Sequence, residues 1–166
     1  MLIEALTLGQ GTVASHVAAL LGERDVVRFE PGRGNADMEL RVDLMRAARQ
    51  NRSLIIPGGT VDKGAVGNAM RVSRNLCRRL GIKEENGGVG DLGRLLAFAY
   101  PDRIAQLRSG SGGKFLLSGG RGAFLDETSP LCSEPFLVAA ELDGKGSEAR
   151  IYKAAPYRLK TLREQF

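Results

Sequence analysis

Residues 103–155 read "RIAQLRSGSGGKFLLSGGRGAFLDETSPLCSEPFLVAAELDGKGSEARIYKAA", and the spacing of their apolar runs decides the fold class. The runs "RIAQL", "KFLLS", "RGAFL", "PFLVAAEL" and "ARIYKAA" are short and rich in apolar, partly β-branched or aromatic residues. The stretches "RSGSGG", "SGG", "DETSPLCSE" and "DGKGS" separate them, and such Gly-, Ser- and Asp-rich pieces punctuate strands. Five strands in about 60 residues predict a small barrel or sandwich, and five is the strand count of an OB-fold.

Upstream of Pro101 the period changes. Val13, Val17, Leu20 and Leu21 fall at helical spacing, with Thr12 as the expected N-cap and Gly22 near the end. After the break "EPGRGN" at 30–35, the stretch "ADMELRVDLMRAARQ" carries two apolar stripes. One is Leu40, Leu44 and Ala47 and the other Met38, Val42 and Met45, as in a helix packed between neighbours. "SLIIPGG" is a short apolar piece ended by Pro57. In "AVGNAMRVSRNLCRRLG", Ala69, Val72, Ser73, Leu76, Cys77 and Leu80 share one helical face, while Arg71, Arg74 and Arg78 cluster opposite. Gly81 stops that helix, "KEENGGVG" is a polar loop, and Asp91 caps "LGRLLAFAY". A helical part over 1–100 followed by a β part over 101–166 is an α+β arrangement, not βαβ alternation. The terminal "YRLKTLREQF" reads as a basic linker or the start of another element.

Residues 6–30, "LTLGQGTVASHVAALLGERDVVRFE", contain G-x-G-x-x-A at Gly9, Gly11 and Ala14, followed by Glu30. That order imitates a dinucleotide-binding unit. The imitation fails on context, because "MLIEAL" favours helix over strand and no further βα units follow. Gly9 and Gly11 are expected to mark a bend between two helices.

Composition narrows the function classes. The 166 residues include 24 Lys+Arg against 19 Asp+Glu, a net charge of +5 that suits a polyanionic partner. Arg dominates that surplus, and Arg makes bidentate phosphate contacts that Lys does not. No run of about 18 apolar residues suggests a membrane span, and no basic and apolar leader suggests export. Cys77 and Cys132 lie far apart without a partner motif, as in a reducing cytoplasm. "GSGGKF" around Lys114 lacks the spacing and hydroxyl of a P-loop. His16 is the only histidine and has no partner spaced for metal or triad chemistry, so it reads as structural. Ser111 and Ser118 have no candidate base, and Asp126 and Glu127 read as a solvated turn. No catalytic, metal or cofactor site is expected in the chain.

The strings "GDLGRLLAFAYPDRIAQLR", "KFLLSGGRGAFL", "EPFLVAAELDG" and "EARIYKAAP", taken in order, resemble the C-terminal accessory region of bacterial HrpB-type DEAH-box ATP-dependent helicases. "GQGTVASHVAALLGERD" and "GRGNADMELRVDLMRA" resemble that family's helical segment more loosely, and residues 54–68 add little. The resemblance implies a piece of a longer protein that begins inside a ratchet-like helical domain and ends with an OB-fold, with Met1 an added start codon. It also implies two upstream RecA-like motor domains that bind ATP and Mg²⁺. As partners it implies those motor domains and single-stranded nucleic acid, RNA before DNA.

Several residues suit that role. Arg71, Arg74 and Arg78 form a stripe able to track successive phosphates. Arg103, Lys114, Arg121, Arg150 and Lys153 fall at strand or hairpin positions, where OB-folds present basic side chains. Phe115, Phe124 and Tyr152 are candidates for base stacking, against the alternative that the two phenylalanines fill the barrel. The Arg stripe equally suits a solvated face or a dock for motor domains. In that second case the chain is a protein-interaction module, and the isolated piece is expected to self-associate.

Overall fold

The computed structural model describes residues 1–86, 88–144 and 146–165. Gly87 of the "KEENGGVG" loop, Lys145 of the "DGKGS" turn and Phe166 of the terminal stretch lie outside the described residues. The chain divides into two compact units, residues 1–30 with 39–90, and residues 31–38 with 91–166.

The first unit is mainly helical. Helix α1 (Leu2–Thr7) and helix α2 (Gly11–Gly22) meet at Gly9, whose φ of 67° is the left-handed conformation that glycine tolerates best. Two helices in succession leave no strand before the glycines, so the dinucleotide-like motif is a helix–helix corner. Gln10, not Thr12, is the N-cap of α2. Thr12 lies inside the helix, and its hydroxyl accepts the Glu85 N–H at 3.1 Å.

Strand β1 (Val27–Phe29) pairs antiparallel with strand β2 (Gly59–Val61), a small sheet that the sequence reading did not foresee. Between them runs helix α3 (Met38–Arg49), with Val42, Leu44, Met45 and Ala47 buried on both of its apolar stripes. Helix α4 (Lys63–Arg79) starts at Asp62, whose carboxylate accepts the Ala65 N–H at 2.9 Å, and stops at Gly81 with φ of 65°. Its buried face is Ala65, Val66, Ala69, Met70, Ser73 and Cys77; Leu80, expected on that face, is exposed.

The second unit is a closed five-stranded barrel with helical attachments. Its strands are β3 (Ile104–Leu107), β4 (Lys114–Leu117), β5 (Gly122–Phe124), β6 (Phe136–Leu142) and β7 (Glu148–Pro156). They match the five runs of the sequence one for one. The strands are ordered β3-β4-β5-β7-β6, and β6 pairs back onto β3 to close an OB-like barrel. All pairings are antiparallel except β5 with β7. Phe115, Leu117, Leu125, Leu137 and Ile151 fill the interior.

Helix α5 (Leu92–Ala99), capped by Asp91 as expected, belongs to this unit and not to the helical one. It packs on β6 and β7, burying Leu92, Leu95 and Leu96. The division at residue 100 therefore falls within the second unit, past α5. The cover explains why "FLVAAEL" is a nearly continuous apolar run. Val138 and Ala155 face each other outside the barrel core cluster and are fully buried, so β6 is covered on both faces. The loop 31–38 also joins the barrel unit: the Ala154 N–H donates to the Ala36 carbonyl at 2.8 Å, and Asp37 bridges Ala154 in parallel. Helix α6 (Leu159–Gln165) makes the C-terminal stretch an element, not a linker, held by Thr161 donating to Asp91 at 2.7 Å.

Candidate nucleic-acid interface

Alternation along β4 and β5 sorts their side chains. Phe115 and Leu117 point into the barrel, and Lys114 and Leu116 point out. Register carries the sorting across three strands. Lys114 lies opposite Phe124, and Phe124 opposite Arg150, so the three form one lateral row over β4, β5 and β7. The neighbouring row Phe115, Ala123 and Ala149 is wholly buried, which places the Lys114 row on the outer face. Lys114 is exposed, while Phe124 and Arg150 are half-buried. A ring between two cations suits base stacking flanked by phosphate contacts. Phe115 is fully buried and is a core residue, not a stacking platform.

Arg150 has company on this face. Its guanidinium lies 5.3 Å from the centroid of the exposed Tyr152 ring and 3.3 Å from Asp126 Oδ2. The Asp126 carboxyl is held below its ordinary pKa chiefly by the Thr128 hydroxyl at 2.7 Å and backbone N–H at 3.1 Å, with Arg150 adding to this. Asp126 is therefore charged at neutral pH and tempers the Arg150 charge. Arg108, which the sequence reading passed over, stands on the loop before β4, 3.7 Å from Glu148.

Three of the expected basic residues have internal duties. Arg103 donates to the Ala140 carbonyl at 3.0 Å, and its guanidinium lies 4.6 Å from the Tyr100 ring centroid. Arg121 donates to the carbonyls of Gly146 at 2.9 Å and Asp143 at 3.4 Å, tying the β4–β5 turn to the β6–β7 loop. Lys153 is a correction to the sequence reading. Its side chain is 5% exposed and its ammonium sits 2.8 Å from Glu141, so it presents no accessible charge. Register shifts on β6 between Ala139 and Leu142 break the alternation there.

On α4, Arg71, Arg74 and Arg78 are all exposed, opposite the buried Ala69, Ser73 and Cys77. None of the three makes an ion pair with another described residue. Behind this stripe, His16 Nδ1 lies 2.7 Å from Ser73 Oγ. Burial above all, then Arg49 and Arg46, lowers the His16 pKa to about 4. A neutral, buried imidazole between two helices is structural.

Among the described residues no group of three or more His, Cys, Asp or Glu side chains is placed to hold a metal. Cys77 is buried and Cys132 half-buried, and neither forms a disulfide; burial raises the Cys132 thiol pKa. No described helix is long and apolar enough to cross a membrane.

No family model matches the chain. It is 30% identical over 156 residues to the ATP-dependent RNA helicase HrpB of Escherichia coli (strain K12), covering 93% of this chain and 16% of that protein. A crystal structure of the E. coli DExH-box NTPase HrpB superimposes over 94% of this chain and 16% of its own, with a TM-score of 0.63 and 27% identity. A crystal structure of the Escherichia coli DEAH/RHA helicase HrpB covers 91% of this chain with a TM-score of 0.65 at 24% identity, a likeness of fold. The chain thus spans about 16% of the length of the relatives it matches. Over nearly its whole length it is similar to a segment of an HrpB-type helicase, in keeping with an accessory region of such a protein.

Proposed function

We propose that this chain is a non-catalytic accessory part of an ATP-dependent helicase, holding single-stranded nucleic acid and regulating RecA-like motor domains carried elsewhere in a longer protein. ATP and Mg²⁺ belong, in this reading, to those motor domains. The observation that carries it is the outward row of Lys114, Phe124 and Arg150 across β4, β5 and β7. In OB-folds the face of the second and third strands, here β4 and β5, is the one that meets an oligonucleotide. The helical unit plays the ratchet-like part, its Arg71, Arg74 and Arg78 stripe facing phosphates. These contacts are to phosphate and to the faces of bases, so binding is independent of sequence.

Fluorescence anisotropy with a single-stranded RNA at two salt concentrations tests this. Binding at low salt that weakens as salt rises is expected, because phosphate contacts release counterions. No binding at low salt, or binding indifferent to salt, overturns it. Single-stranded DNA in parallel decides between the two nucleic acids.

A protein-interaction module is the second reading, favoured by one observation: Ile3, Leu6 and Leu8 are exposed on and just after α1, Ile3 at 76%. In that case the chain docks motor domains or a partner without touching nucleic acid. Arg71→Glu with Arg74→Glu then weakens docking and leaves the RNA affinity of this chain unchanged, and light scattering shows self-association.

A further inference from the structure

The first unit carries a groove of about 820 Å³ between α3, α4 and the segment 52–61. Its walls are aliphatic, with Leu44, Leu54, Ile56, Val61, Val66 and Met70 among the lining residues. Ile55 stands at its lip with 96% of its surface exposed. Among the described residues Arg49, Arg52, Lys63 and Arg74 are the charged ones that line it, and no carboxylate does. Arg49 is held by Glu84 at 3.2 Å, whereas Arg52 and Lys63 are exposed and make no ion pair with a described residue.

One wall is the edge of a strand. Residues Gly59, Thr60 and Val61 of β2 line the groove and no residue of β1 does, so the groove meets the side of β2 turned away from its partner. The Asp62 N–H donates to the Val26 carbonyl and the Glu30 N–H to the Gly58 carbonyl. Those bonds make Arg28 and Thr60 the hydrogen-bonded pair between them and turn the main chain of Val61 toward the groove.

We propose that this groove is a docking site for an acidic, extended peptide segment of a partner protein. The segment pairs with the outward main chain of Val61, since the Gly59 N–H already donates to the Ile56 carbonyl, sets alternate apolar side chains into the groove and places carboxylates against Arg52, Lys63 and Arg74. The volume lies in the range of built binding pockets, larger than one side chain needs. Strand addition supplies main-chain affinity, and the apolar floor selects every second side chain. The positive charges of Arg52, Lys63 and Arg74 beside an aliphatic floor select acidic residues between them. Among the described residues no aromatic side chain lines the groove, which sets this surface apart from the barrel face with its Phe124 and Tyr152 rings.

The test uses the whole chain and a fluorescein-labelled synthetic peptide with Leu and Phe alternating with Asp and Glu. Two control peptides replace Leu and Phe by Ser, or Asp and Glu by Lys. The acidic apolar peptide is expected to bind and both controls to fail. Gly67→Trp fills the groove, since a Cβ at Gly67 meets nothing within 4 Å. It is expected to weaken the peptide by about tenfold or more, with Gly67→Ala as the folding control. Arg52→Glu with Lys63→Glu is expected to weaken it comparably, and Gly67→Trp, which changes no charge, should leave RNA affinity unaltered. The proposal fails if the acidic peptide does not bind or binds Gly67→Trp equally. It also fails if Gly67→Trp abolishes RNA binding, which would make the groove a nucleic-acid site. Loss of self-association alone in that variant would instead assign the groove to a second copy of this chain.

Discussion

Lys114 and Phe124 stand directly opposite one another on β4 and β5, on the outer side of the barrel. If the barrel face binds nucleic acid as proposed, replacing Phe124 by Ala removes a stacking surface worth about 1–3 kcal/mol per base. The expected result is a clear loss of affinity for single-stranded RNA in anisotropy titrations, alike for different sequences. Unchanged affinity in a folded Phe124→Ala protein would remove the ring from the interface.

Lys114→Ala should act differently. Removing one phosphate contact lowers the slope of log affinity against log salt by roughly 0.7 on a single strand. Arg71→Ala, Arg74→Ala and Arg78→Ala should each do the same if the α4 stripe tracks phosphates. A stripe that docks protein instead leaves all three slopes where they were.

Lys153 should leave that slope alone. Its side chain is buried and its ammonium pairs with Glu141 at 2.8 Å, an internal contact. Glu141→Ala removes the ion-pair partner of a buried ammonium and is expected to cost about 1–3 kcal/mol in chemical denaturation. Lys153→Met removes the charge along with its need for a partner and should cost less than Glu141→Ala.

His16 makes stability depend on acidity. Its pKa is about 4 in the fold against 6.5 ordinarily, so between these values the unfolded chain binds the extra proton. The stabilising contribution is complete above pH 6.5 and is lost as pH falls toward 4. Its size is about 3 kcal/mol, from roughly 1.4 kcal/mol per pH unit. Denaturation at several pH values should show this slope, and His16→Leu combined with Ser73→Ala should flatten it. A slope that survives the double replacement would assign the effect to other groups.

Gly93 is where α5 touches the barrel. A Cβ there would run into the Pro156 carbonyl, whereas one at Gly67 meets open space. Gly93→Ala is expected to destabilise by about 1–3 kcal/mol through overpacking. Gly67→Ala is expected to stabilise α4 by up to about 1 kcal/mol. Equal melting temperatures for the two variants would contradict this packing of α5.

Local chemistry carried much of the reading. The five barrel strands were legible because Gly-, Ser- and Asp-rich turns bound each apolar run, and Asp91 and Gly81 announced helix ends by their own conformational preferences. The exposed stripe of Arg71, Arg74 and Arg78 followed from helical period alone. By itself, then, the sequence determined the α+β class, the strand count and the helix–helix corner at Gly9. Tertiary structure decided the rest, because it depends on residues distant in the chain. The pairing of β1 with β2 joins three-residue strands too short to show a period. The place of α5 depends on Gly93 meeting Pro156, and the burial of Lys153 depends on register shifts across β6 and β7. The row of Lys114, Phe124 and Arg150 exists only through cross-strand register, a long-range relation that no run of neighbouring residues records.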